Sequence, residues 1–269
     1  MEFWQNIYSH FNPVAFSIGD IAVHWYGIMY ALALLSAIFI AKWFIKYDNI
    51  NISQDIFDSY IWWAEIGVIL GARLGYILFY DSNTTYYLTN PWQIFNPYVN
   101  GTYVGIAGMS YHGAFIGFII ASILFCKRKN ISFWFITDIA VLGISAAYVF
   151  GRIGNFFNQE LVGRVTDVSW GIYVDGILRH PSQLYEAFLE GIVVFLILVY
   201  FRNRKKFDGQ LAIMYGIFYT IARIIAEFYR QQDPQIGFIA GNWLTMGILQ
   251  SGVILVICLV LYGIKSKKI

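Results

Sequence analysis

The 269 residues carry 18 Lys and Arg against 16 Asp and Glu, a formal charge of only +2, and 58% of them are hydrophobic while 13% are charged. A soluble domain holds roughly 45–50% apolar and about 25% charged residues. Long apolar runs recur along the whole chain, too many for one core to hide, which excludes a water-soluble globular protein; with so little net charge, no nucleic-acid partner is expected.

A transmembrane helix needs about 20 mostly apolar residues. Seven segments qualify, approximately 22–42, 57–79, 112–126, 133–150, 183–201, 210–229 and 242–263. The expected fold is therefore an all-α polytopic membrane protein with about seven transmembrane helices, a single integral-membrane domain over residues 1–269. The start, Met1 to Asp20, is polar and aromatic and lacks the basic n-region of a cleavable signal. Cationic clusters fall at Lys42/Lys46, Lys127–Lys129, Arg202/Arg204/Lys205/Lys206 and Lys265/Lys267/Lys268, in every second connection and the C-terminal tail. Basic loops mark the cytoplasmic side, which predicts an outward N-terminus and a cytoplasmic C-terminus. Arg73, Arg152, Arg164, Arg179, Arg223 and Arg230 then lie on the outer half, together with all four histidines.

Two longer connections, about 80–111 and 151–182, are expected on the outer face as a cap. The first is rich in Tyr, Asn, Thr and Pro and is read as irregular or partly helical. The second contains the strand-like run Ser169–Val174 followed by an Asp175-Gly176 turn. Cys126 and Cys258 fall near inner ends of spans, where no oxidising compartment would pair them, and are read as packing residues. Small residues repeat every four positions at Gly67, Gly71, Gly75 and at Gly113, Gly117, a pattern that lets helix backbones approach closely in lipid. Many of the aromatics, among them Trp4, Trp25, Tyr26, Trp92 and Trp243, suit an interfacial belt.

Charged groups at membrane depth cost about 2.5–3.5 kcal/mol each on insertion scales and so mark functional cavities. In the sixth span Tyr219, Arg223, Glu227 and Arg230 recur at four, four and three residues, which stacks them on one helix face. A self-neutralising Arg–Glu ladder would explain one pair and leave a cation and a phenol over. Gly151 to Arg164 interleaves glycines with Arg152, Asn155, Asn158 and Glu160. It reads as a backbone that approaches a ligand closely at the outer end of the fourth span through Gly151, Gly154 and Gly163, or else as a tight interfacial turn with a snorkelling arginine. Arg suits phosphate because its planar fork meets two oxygens at once. His112, in Met109-Ser110-Tyr111-His112-Gly113, is either an interfacial residue or a general base for a thiol. His24-Trp25-Tyr26 opens the first span, with His24 read as a belt residue. Arg73 pairs with Glu65 or lines the same cavity, and His180-Pro181-Ser182 begins the fifth span before Glu186. No metal-ligand spacing, P-loop or serine-nucleophile elbow occurs. No metal and no cofactor is expected, and the nucleophile must arrive with a second substrate.

These stretches together resemble the bacterial prolipoprotein diacylglyceryl transferases. The likeness rests on His24-Trp25-Tyr26-Gly27, Gly71-Ala72-Arg73-Leu74-Gly75-Tyr76, Gly108 to Gly113, Gly151 to Gly163, His180 to Glu186 and Arg223-Ile-Ile-Ala-Glu227-Phe-Tyr-Arg230, in family order across nearly the whole chain. Small departures are Ala107 and Ala114 where glycines are common, and Tyr111 where Phe is frequent. The resemblance implies seven helices, an outward N-terminus, the bacterial inner membrane, and an outer-face site fed from the bilayer. It implies that Arg152 binds phosphatidylglycerol, with Arg223 completing the phosphate site. It makes His112 and Tyr26 activity-critical, and gives Asn155, Gly154, Glu160 and Glu227 a part in shaping the site. Tyr219, Arg230 and Arg73 join them as candidate substrate contacts. The implied second substrate is a prolipoprotein whose lipobox cysteine receives the diacylglyceryl group. A lipid flippase would use the same arginines without chemistry, but it predicts duplicated halves and polar residues running to the inner face, and neither is found in the sequence. A purely structural subunit leaves the outer arginines without a purpose.

Overall fold

The computed structural model describes residues 2–19, 21–99, 102–103, 105, 108–232 and 237–267. Asp20, Ala107 and Lys268, read above, lie outside the described residues. In chain order the elements are α1 (Glu2–Gln5), β1 (Val14–Ile18), β2 (Ile21–His24), α2 (Trp25–Tyr47), α3 (Gln54–Phe79), α4 (Thr84–Thr89), β3 (Tyr98–Val99), β4 (Thr102–Tyr103), α5 (Tyr111–Lys129), α6 (Phe133–Phe157), β5 (Ile172–Val174), β6 (Ile177–Arg179), α7 (Ser182–Glu186), α8 (Val194–Phe201), α9 (Gln210–Glu227) and α10 (Met246–Ser266). A π-helical stretch, Ala187–Val193, joins α7 to α8.

Among the described residues six helices are long and apolar enough to cross a membrane: α2, α3, α5, α6, the continuous helix Ser182–Arg204, and α10. The chain is a multi-pass, mainly helical membrane protein. Of the seven expected spans, the sixth forms as α9, 18 residues long, but is not among these six. The stripe of Gln210, Tyr219, Arg223 and Glu227 dilutes its apolar content. The fourth expected span is too short by nearly two turns. Helix α6 continues to Phe157, so Arg152, Gly154 and Asn155 stand on its last turns and not on a glycine-rich loop. The connection expected on the outer face accordingly begins after Phe157, not at residue 151.

The chain divides into two compact units, residues 51–133 and residues 1–50 with 134–269. In the first, α3 and α5 pack backbone to backbone. A Cβ at Gly71 would fall 2.3 Å from Gly113 O, and one at Gly117 would fall 2.0 Å from Gly67 O. The two small-residue ladders therefore face each other. In lipid this packing supplies the attraction that the hydrophobic effect supplies in water. The connection before α5 folds back onto α3, with Ser110 N donating to Ala72 O at 2.9 Å. Gly108 takes φ +80° under the Tyr76 ring, where a Cβ would sit 2.3 Å from Tyr76 Cε1. It is glycine for both reasons.

In the second unit Phe44, Leu142, Val194, Leu198, Leu211 and Met214 form a core among α2, α6, α8 and α9. Helix α9 starts at Gly209, which has no side chain to cap it. Buried Asp138 of α6 does so instead, accepting from Gly209 N at 2.9 Å and Ala212 N at 3.0 Å, with Lys205 Nζ at 3.1 Å. The predicted strand begins at Ile172, three residues later than expected. Its turn is Asp175-Gly176, φ +51° and +76°, as a two-residue hairpin requires. The cysteines are free, Cys126 buried and Cys258 packed over Gly216.

Gly117→Ala should destabilise the protein by about 1–3 kcal/mol, the usual range for overpacking. Gly252→Ala, with nothing within 4 Å of the added carbon, should be neutral or mildly stabilising; thermal unfolding in detergent separates the two.

Candidate functional site

Helix α6 carries Tyr148, Arg152 and Asn155 at spacings of four and three, on one face. Across from it stand Glu186, at the end of α7, and Glu190, in the π-helical stretch; both are fully buried. Arg223 and Glu227 come from α9, and Arg230 from the turn that follows it.

Glu186 is the hub. Its Oε2 lies 2.9 Å from Arg152 Nε, and its Oε1 lies 3.0 Å from Arg223 Nη1 and 3.8 Å from Arg230 Nη1. Arg223 Nη2 also meets Glu227 Oε2 at 2.6 Å. Glu190 stands farther out, 3.5 Å from Arg223 and 3.9 Å from Arg152. The contact from Arg152 Nε to Glu186 is electrostatic, because that N–H is directed at the Tyr148 hydroxyl, 2.7 Å away. Three arginines thus balance three glutamates. Burying each ion costs several kcal/mol, recovered only where geometry is good and the remaining polar atoms are bonded.

Supports reach in from neighbouring segments. Thr245 Oγ1 donates to Glu227 Oε1 at 2.9 Å. At Gly247 a Cβ would come 2.7 Å from Glu227 Cδ, so α10 can approach only because that residue lacks one. Asn155 accepts from Arg152 Nη1 at 3.3 Å and donates to Glu160 Oε1 at 2.8 Å. Gly154 lies beneath the side chains of Tyr26 and Met29, which sets Tyr26 beside Arg152 and Asn155. Tyr219 places its hydroxyl 3.5 Å from that of Tyr148, with the rings edge-on.

Of the sequence-predicted residues, Arg152, Arg223, Asn155, Gly154, Glu160, Tyr219, Glu227, Arg230 and Tyr26 therefore gather in one unit. Arg73 and His112 belong to the other. Arg73 Nε donates to Ile94 O at 2.5 Å and Nη1 to Gly108 O at 3.1 Å, with Tyr76 and Tyr87 flanking the guanidinium. It ties the connection 80–111 to α3. His112 stands exposed in the first turn of α5, with Nδ1 3.4 Å from Tyr80 Oη. Arg164 caps the end of α9 through Arg230 O, 2.9 Å, and Glu227 O, 3.2 Å. Arg179 holds Gly163 O at 3.1 Å and Gln231 Oε1 at 3.2 Å. Burial lowers the His180 imidazole below its ordinary range, opposed by Asp167. Its Nδ1 lies 3.2 Å from the Tyr185 hydroxyl.

Sequence reasoning passed over Glu186 as a charge partner and missed Glu190 and Tyr148 altogether. Glu190 had a signal, being the lone charge between Glu186 and Arg202 in the fifth span. Tyr148 had none that set it apart from the other aromatics.

Half-buried arginines held in fixed orientation by fully buried carboxylates place a compact charged centre inside a multi-pass membrane protein. Residues 13–264 match the family described as prolipoprotein diacylglyceryl transferase. A phosphatidylglycerol–prolipoprotein diacylglyceryl transferase of Aliarcobacter butzleri (strain RM4018) is 77% identical over 267 residues, 99% of this chain and 98% of its own. The Wolinella succinogenes protein of that name is 60% identical over 265 residues, 98% of this chain and 97% of its own. One from Campylobacter jejuni subsp. jejuni serotype O:23/36 (strain 81-176) is 59% identical over 270 residues, 100% and 99% of the two chains. The chain belongs to the prolipoprotein diacylglyceryl transferase family and is an enzyme.

Removing the hub should cost most. Glu186→Ala leaves Arg152 and Arg223 short of their shared counter-charge and should destabilise the fold by roughly 3–5 kcal/mol. Arg230→Ala, which breaks one 3.8 Å contact, should cost far less. Unfolding in detergent measured side by side gives the order.

Proposed function

We propose that this enzyme transfers the diacylglyceryl group of phosphatidylglycerol to the lipobox cysteine of a prolipoprotein, at the outer leaflet of the bacterial cytoplasmic membrane. The observation that carries the reading is the bridge from Glu186 to Arg152 and Arg223, 2.9 and 3.0 Å. It fixes two phosphate-binding side chains from different helices side by side. The printed names of the relatives supply the substrates, and the alternating basic clusters support an outward N-terminus and a cytoplasmic C-terminus.

In chemical terms the cysteine must become a thiolate to act as nucleophile. Its sulfur attacks glycerol C3 of the lipid, the C3–O bond breaks, and glycerol-1-phosphate leaves as the thioether forms. The departing phosphate oxygen gains charge, and the thiol proton, taken first by a base, passes to the phosphate released. Arg152 is suited to that oxygen. Tyr148 and Asn155 occupy three of its five N–H groups among the described residues, and the 3.3 Å bond to Asn155 is the longest and easiest to exchange for a phosphate. Arg223 supplies the second fork, and the preorganised charge lowers the barrier. Asn155, Gly154, Glu160, Tyr219, Glu227 and Arg230 shape the surroundings of the two forks, and Tyr26, packed over Gly154, is assigned a role near the reacting centre. His112 is assigned the base that takes the thiol proton, and Arg73 the support of the outer connection nearest it in sequence.

The test is mass spectrometry of a lipobox peptide incubated with the purified protein and phosphatidylglycerol. A diacylglyceryl adduct on cysteine should appear together with free glycerol-1-phosphate. Arg152→Ala or Arg223→Ala should slow the reaction about 10²–10³-fold, the loss typical of one oxyanion donor; retention of most of the wild-type rate would refute the phosphate assignment. His112→Ala should lose activity and recover part of it at raised pH, whereas full activity at neutral pH removes it as base.

A further inference from the structure

Tyr148 and Glu190 lie outside the roles given above, yet both stand against Arg152, Tyr148 half-buried and Glu190 fully buried. The Tyr148 hydroxyl accepts from Arg152 Nε at 2.7 Å and from Arg152 Nη2. A phenolic oxygen offers two lone pairs and one proton, so the two guanidinium N–H groups fill its acceptor capacity. Its own proton must go elsewhere, and it goes to Glu190 Oε2, with which the hydroxyl is in hydrogen-bond contact. The Tyr219 hydroxyl, 3.5 Å away, is too distant to compete. The direction of every bond is thereby fixed: Arg152 donates to Tyr148, and Tyr148 donates to Glu190. The other oxygen of Glu190 faces Arg223 Nη1 at 3.5 Å.

Helix geometry brings this carboxylate in. Glu190 follows Glu186 by four residues, inside the π-helical stretch, a form that recurs at functional positions. The next residue, Gly191, allows close approach to α6, since a Cβ there would stand 2.5 Å from Val149 Cγ2. A fully buried glutamate in a span is costly, and charge balance alone does not require a tyrosine between it and the arginine.

We propose that Glu190 and Tyr148 act in series as positioning residues that set the orientation of the Arg152 guanidinium and turn its Nη1 edge toward an anionic phosphodiester. The inference rests on the reading of Arg152 as a phosphate ligand. With its Nε–Nη2 edge clamped, the fork cannot rotate about its last torsions, and the headgroup meets donors already aligned.

The experiment is steady-state kinetics on the full-length protein with phosphatidylglycerol vesicles and a lipobox peptide. Tyr148→Phe removes only the hydroxyl. It should raise KM for the lipid about tenfold and leave KM for the peptide unchanged. A merely structural role would lower the active fraction, and so apparent kcat, without moving KM for one substrate alone. Glu190→Gln should raise the same KM, and the double variant should raise it by less than the product of the two single effects, as partners in one network do. A wild-type lipid KM in Tyr148→Phe overturns the proposal, as does a double variant whose effects multiply. If Glu190→Gln does not fold, Tyr148→Phe decides alone. Arg152→Ala separates the two readings: if it is fully active, the phosphate assignment fails; if it is inactive while Tyr148→Phe behaves as wild type, only the positioning role fails.

Discussion

The structure of the larger unit depends on one carboxylate. Glu186 has no exposure and three arginines within 4 Å, so it is the counter-charge that all three share. A buried ion pair adds little net stability by itself, because desolvation consumes most of the Coulombic gain. What it does add is a unique arrangement. Arg152 comes from α6, Glu186 from α7 and Arg223 from α9, and any slip of one helix by a turn, about 5.4 Å, would strand charge on all three.

The glycines serve that arrangement from outside. Gly247 brings α10 against Glu227, Gly154 seats Tyr26, and Gly191 draws the π-helical stretch onto α6. Asp138 anchors the start of α9 at its far end, and Arg164 holds its last carbonyls. A helix pinned at both ends has no freedom to rotate, so Arg223 and Glu227 keep one heading. This division, with rigid supports around a small charged centre, is what preorganised electrostatics needs.

Much of this was legible in the sequence because membrane depth makes polar residues conspicuous. Arg223 and Glu227 stood out on cost and helical spacing, Arg152 on the glycines and asparagines around it, the Gly67/Gly71 and Gly113/Gly117 ladders on spacing, and the Asp175-Gly176 turn on its residue types. Less legible was where elements stop. The glycines and asparagine of 151–155 suggested a loop, yet tertiary packing carried α6 through them, as it often overrides weak propensity. The pairing across helices was hidden too: sequence spacing orders residues along one helix, and only the fold shows that Glu186 answers Arg152. Tyr148 was invisible because a buried phenol and a lipid-facing one look alike among 20 tyrosines.

The polar stripe of α9 also bears on how the chain enters the membrane. With Arg223 and Glu227 inside its 18 residues, this helix is a poor candidate for partitioning into lipid alone. The counter-charges of Arg223 outside its own helix, Glu186 of α7 and Glu190 of the π-helical stretch, precede it in the chain. The order of the chain thus places the partners of this charged helix before it, so that the centre can close on α9 as it arrives.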